Sequence, residues 1–112
     1  MQPRHEPRGF DFDAFGRALG WTRWPYSPQD TYWDGRCRFL DRHKGGRLLG
    51  LPHSDLLLSE YDAAQGRNRL HPFPWPKTVE EALTALVTVG WWEDTPENRG
   101  AFLARYEALG GR

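Results

Sequence analysis

The sequence predicts an α+β domain: a small antiparallel sheet of β-hairpins, covered by a C-terminal pair of antiparallel helices, with a short N-terminal helix. Three observations predict it. Two stretches after Pro76 combine helical periodicity with start and stop signals. The middle of the chain runs in short segments separated by Asp-Gly and Gly-Gly turns. Near residue 11 an aspartate precedes Phe15 and Leu19, which lie one helical turn apart.

In order, residues 1–9 mix charge and proline with little to bury, so a frayed arm is expected, and 10–112 form a single domain. A helix is expected over about 11–19, capped by Asp11 or Asp13 and ended by Gly20. Gly16 is out of place inside it. Trp21 to Gln29, dense in aromatics with Pro25 and Pro28, suits extended polyproline-like chain laid across the core. A carbohydrate or a proline-rich ligand could stack there; a lid on the core is the plainer use.

Tyr32-Trp33 precede a turn at Asp34-Gly35, and strands are expected over about 36–40 and 47–51. These would form a hairpin closed by the polar turn 41–46, with Cys37 and Phe39 on one face and Arg36 and Arg38 on the other. Leu56 to Gly66 is ambiguous. It reads as a helix capped by Ser54, or as strands over about 56–61 and 67–71 around a turn. The run Tyr61-Asp62-Ala63-Ala64-Gln65-Gly66-Arg67 resembles the turn of the YD-repeat proteins, whose units are β-hairpins. The resemblance covers that turn alone, implies no functional residue, and favours the hairpin.

His71 to Pro76 is then a stiff connector. The helix expected over about 78–90 opens on a capping box, Thr78 with Glu81. Its apolar arc from Val79 to Gly90 is wide enough for packing on more than one side. The helix over about 96–109 has Thr95 as cap, Pro96 at its first position, and Gly110-Gly111 as its stop.

Composition narrows the function classes. Basic and acidic residues number 15 each, so the chain is formally neutral, unlike a typical polyanion binder. No apolar run reaches membrane-span length and no signal-peptide core opens the sequence, so no membrane association and a cytoplasmic setting are expected. The lone Cys37 fits a reducing compartment. His5, His43, His53 and His71 are scattered, so no metal site and no cofactor are expected. His53-Ser54-Asp55 holds the letters of a triad, but residues adjacent in sequence cannot converge as one, and no catalytic residue is assigned.

Six tryptophans in 112 residues exceed what so small a core can enclose. The expected function is therefore a small non-catalytic interaction protein, an inhibitor or accessory factor, that binds another protein through exposed Trp and Arg. Trp91, Trp92, Glu93, Asp94, Trp24 and Trp33 are the candidate contact residues. An alternative is nucleic-acid binding by an Arg-rich sheet face of Arg36, Arg38, Arg42, Lys44, Arg47, Arg67 and Arg69. A third is a metal-independent ribonuclease using His43, His53, His71, Arg67, Arg69 and Tyr61.

Overall fold

The protein is represented by a computed structural model, which describes residues 10–26, 30–43 and 54–111. The expected arm over 1–9, the strand over 47–51, and Lys44, Arg47 and His53 lie outside the described residues.

Among the described residues, three helices and one five-stranded sheet make up the fold. The first helix, α1 (Phe12–Ala18), is capped by Asp11, whose carboxylate accepts from Ala14 N at 3.0 Å. The strands β1 (Thr22–Arg23), β2 (Asp30–Trp33), β3 (Arg38–His43), β4 (Asp55–Asp62) and β5 (Arg67–Pro74) follow as an antiparallel meander in the order β1-β2-β3-β4-β5. Two helices close the chain, α2 (Val79–Thr88) and α3 (Pro96–Ala108), with Thr78 and Thr95 as caps.

The turn chemistry explains where strands start. Asp34 Oδ1 accepts from Arg36 N at 2.7 Å and Arg38 N at 3.1 Å, so Arg36 and Cys37 belong to the turn and β3 begins at Arg38. The expected strand at Arg36 is shifted accordingly, and its partner is β4. At the next turn Asp62 Oδ1 accepts from Ala64 N and Gln65 N, and Gly66 takes a φ of +67°. The ambiguous segment is thus a hairpin. Part of the tryptophan-proline strip and Asp30–Trp33 are strands too, and the expected connector at His71 to Pro74 continues β5. Pro72 and Pro74 are tolerated because β5 is an edge strand, whose outward N–H groups have no ladder partner to lose.

Residues paired across a ladder share a sheet face. The register therefore sorts the strands into an inner face with Tyr32, Leu40, Leu56 and Leu58, and an outer face with Trp33, Phe39, Leu57 and Leu70. The inner residues join Phe12, Phe15, Leu83, Leu86, Phe102 and Tyr106 in the core. Two expectations about the helices need correction. The buried stripe of α2 is Val79, Ala82, Leu83, Ala85 and Leu86, while Val87 is exposed, so α2 packs on one side. And α3 takes α1, not α2, as its main helical neighbour. Phe15 meets Phe102 edge-on at 5.4 Å, Tyr106 Oη accepts from Asp11 N at 2.8 Å, and Arg105 Nε donates to Ala18 O at 3.0 Å. The aromatic link Trp91-Trp92 intervenes between α2 and α3, with Trp92 packed edge-on to Phe102 at 6.0 Å.

Candidate protein-binding surface

Contrary to the expectation of exposed indoles, all six tryptophans are half-buried, and the structure divides the expected contact tryptophans between opposite sides of the sheet. Trp33 is on the outer face by register, opposite Phe39. Trp24 folds over the same face, with its ring 5.0 Å from Trp33, 5.4 Å from Phe39 and 5.4 Å from Tyr26. Its position is fixed by Trp24 N donating to Thr31 O at 2.8 Å. No helix among the described residues packs on these rings. Tyr26 is 81% exposed, and farther across the same face Leu70 is 52% exposed. Tyr61 is exposed on that face as well.

Trp91 and Trp92 serve the other side. Trp91 is half-buried beneath the Arg38 guanidinium at 4.9 Å, with Trp21 at 6.2 Å and His71 at 6.3 Å. Glu93 and Asp94 are exposed beside them. Asp94 accepts from Arg99 Nε at 3.1 Å and Nη2 at 2.9 Å, a fork that holds its carboxyl below the usual range and tethers the link to the first turn of α3.

The arginines are largely engaged within the molecule. On the inner face Arg38 lies 3.5 Å from Glu60, and Arg69 lies 3.2 Å from Asp62. Arg42 stacks over Trp75 at 4.9 Å. Arg36 and Arg67 are exposed, Arg36 in the Asp34 turn and Arg67 at the start of β5. The carboxylates of Glu60 and Asp62, on the strand between Arg38 and Arg69, break up what the alternation made look like a continuous cationic face.

The residues weighed for ribonuclease chemistry are not brought together. His43 and Tyr61 fall on the outer face, whereas His71, Arg67 and Arg69 fall on the inner one. Among the described residues no three His, Cys, Asp or Glu side chains are placed to hold a metal ion. The Cys37 thiol is pushed up by local burial and by the Glu60 carboxylate, whose Oε2 lies 3.7 Å away, which disfavours the nucleophilic thiolate. Asp55 is fully buried opposite His43, and among the described residues neither of its carboxyl oxygens has a hydrogen-bond partner. Burial likewise raises the Asp41 carboxyl, opposed by the Thr31 hydroxyl that donates to it.

Sequence reasoning reached Trp24 and Trp33 by counting indoles, but did not join Phe39, Tyr26 and Leu70 to them. The signal was the register: Trp33 against Phe39 across β2 and β3, then Ser59 and Leu70 in the same row. No protein-family model, curated protein or solved structure matches this chain. No helix among the described residues is long and apolar enough to cross a membrane.

Proposed function

We propose that this chain is a non-catalytic interaction protein that docks another protein on the outer sheet face, acting as an inhibitor or accessory factor. One observation carries the reading: Trp24, Tyr26, Trp33 and Phe39 form a contiguous ring cluster on the face that no described helix covers. Aromatic side chains offer large contact area at low entropic cost and dominate the energetics of protein interfaces. The internal pairing of Arg38 and Arg69 weighs against nucleic acid as the partner. Trp91 and Trp92, packed on Arg38 and Phe102, act here as structural plugs.

The test is affinity capture from nuclease-treated native host extract with the full chain as bait. Tyr26→Arg and Leu70→Arg, both at exposed positions, are expected to lose a partner that the parent chain and Val87→Arg retain. Capture indifferent to both outer-face substitutions would sink the proposal. Heparin retention with a steep salt slope, lost on Arg36→Ala/Arg67→Ala, would transfer the function to nucleic acid.

A further inference from the structure

We infer that the half of β5 next to its turn, residues 67–70, is an open strand edge that pairs with an extended segment of another protein carrying carboxylates at alternate positions. This contact lies at the rim of the sheet and goes beyond the outer-face reading above. The first ground is backbone direction. Tyr61 N donates to Cys37 O at 2.9 Å, so the peptide groups of Tyr61 face β3 and not β5. Tyr61 is paired with Asn68, which makes theirs a non-hydrogen-bonded pair and turns the N–H and C=O of Asn68 away from the sheet. Leu70, Pro72 and Pro74 follow in the same phase. The prolines leave Asn68 and Leu70 as outward donors, and among the described residues nothing pairs with them.

The second ground is access. Residues 67–70 are all exposed, whereas 71–73 are half-buried. Both faces of this half of the strand stand clear of the core, so an added strand displaces nothing.

The third ground is charge. Arg67 and Arg69 lie on the inner face of this edge, with Asn68 and Leu70 on the outer. Arg67 makes no ion pair among the described residues. Arg69 touches Asp62 through Nη2 at 3.2 Å, which leaves the rest of its guanidinium to donate. The neighbouring acids are already engaged: Glu60 faces Arg38 at 3.5 Å, and Asp62 holds the backbone of its own turn. An added strand stands one strand spacing from the two arginines and two spacings from Glu60 and Asp62. Its carboxylates therefore gain more from the arginines than they lose to the acids. A second copy is a poor occupant, because antiparallel self-pairing through both donors sets arginine against arginine.

The experiment is NMR titration of the nitrogen-labelled full chain with three octapeptides. One alternates valine and glutamate, one is the same with N-methylated valines, and one alternates valine and lysine. Saturable binding of the first alone is expected, with the largest amide shifts at Asn68 and Leu70. Leu70→Pro removes an outward donor on the side of β5 that already carries two prolines, and should weaken binding roughly tenfold. Arg67→Glu/Arg69→Glu should transfer preference to the lysine peptide, and Tyr26→Arg should bind as the parent does. Circular dichroism checks each fold; if Leu70→Pro does not fold, the N-methylated peptide makes the same test on the parent chain. No saturable binding at millimolar glutamate peptide, equal binding of either control peptide, or shifts centred elsewhere overturns the inference. Self-association of the parent that Arg67→Glu/Arg69→Glu leaves intact and Leu70→Pro abolishes gives the edge to a second copy, and also overturns it. If Tyr26→Arg loses a host protein partner while no peptide binds, this inference fails and the outer-face reading stands.

Discussion

Gly16 sits in the middle of α1, where the sequence gives no reason for the residue that most weakens a helix. The reason is across the interface. A Cβ at this position would stand 2.5 Å from Tyr32 Cγ and within 2.8 Å of both neighbouring ring carbons. The helix approaches the sheet so closely that only a hydrogen fits under the ring. Gly16→Ala therefore gains helix propensity but loses more to overpacking, and a net destabilisation of about 1–2 kcal/mol is expected by chemical denaturation. The same ring carries a titration effect. Burial, then the hydrogen bond from Tyr32 Oη to Asp13 Oδ1 at 2.9 Å, push the Tyr32 phenol up to about 12 from 10.0. The folded state thus holds this proton where the unfolded chain has released it. Its stabilising contribution is complete below pH 10 and is lost as pH rises through 12. The parent's melting temperature should fall more steeply than that of Tyr32→Phe over this window, and equal slopes would refute the assignment.

At the scale of elements, β5 shows how a strand can end a sheet without inviting another. Its Pro72 and Pro74 lie two residues apart, so their missing donors lie on one side of the strand, the side away from β4. Pro72→Val/Pro74→Val restores two edge N–H groups and adds β-branched side chains. Analytical ultracentrifugation should then show concentration-dependent association beyond that of the parent; unchanged sedimentation would mean that another feature guards the edge. The helices were legible because their ends carry chemistry in the local sequence. Thr78 Oγ1 accepts from Glu81 N at 3.2 Å, and Thr95 Oγ1 accepts from Asn98 N at 3.1 Å. One detail differs from the expected box: Glu81 Oε1 reaches Lys77 N at 2.8 Å, the donor one residue before the cap. Strand β3 was less legible, because Asp34 captures two backbone N–H groups and delays the ladder.

For the whole molecule, the decisive packing is long-range. Phe102 is fully buried, meeting Phe15 from the first helix and Trp92 from the link before α3. Phe102→Ala should cost about 3–5 kcal/mol, a large share of the total stability of a domain this size. Denaturation followed by tryptophan fluorescence and by far-ultraviolet circular dichroism should shift together. Loss of α3 alone, with the sheet intact, would show that the helix is an appendage. The candidate site was half legible for the same long-range reason. Excess tryptophan pointed to exposed indoles, yet all six are half-buried, and Trp24 and Trp33 lie within the outer-face ring cluster whose exposed member is Tyr26. Trp91 and Trp92 were not distinguishable from them, since only the fold puts Arg38 over one and Phe102 against the other.

By itself the sequence determined the α+β class, the three helices and the caps Thr78 and Thr95, because each rests on contacts within a few residues of chain, while the choice of Asp11 as first cap and of hairpin over helix at Leu56 to Gly66 came with the structure. The tertiary structure alone decided that β3 pairs with β4, that α3 leans on α1, and which aromatics share the outer face. Those outcomes depend on register, and a one-residue shift of a strand exchanges its faces without altering its composition.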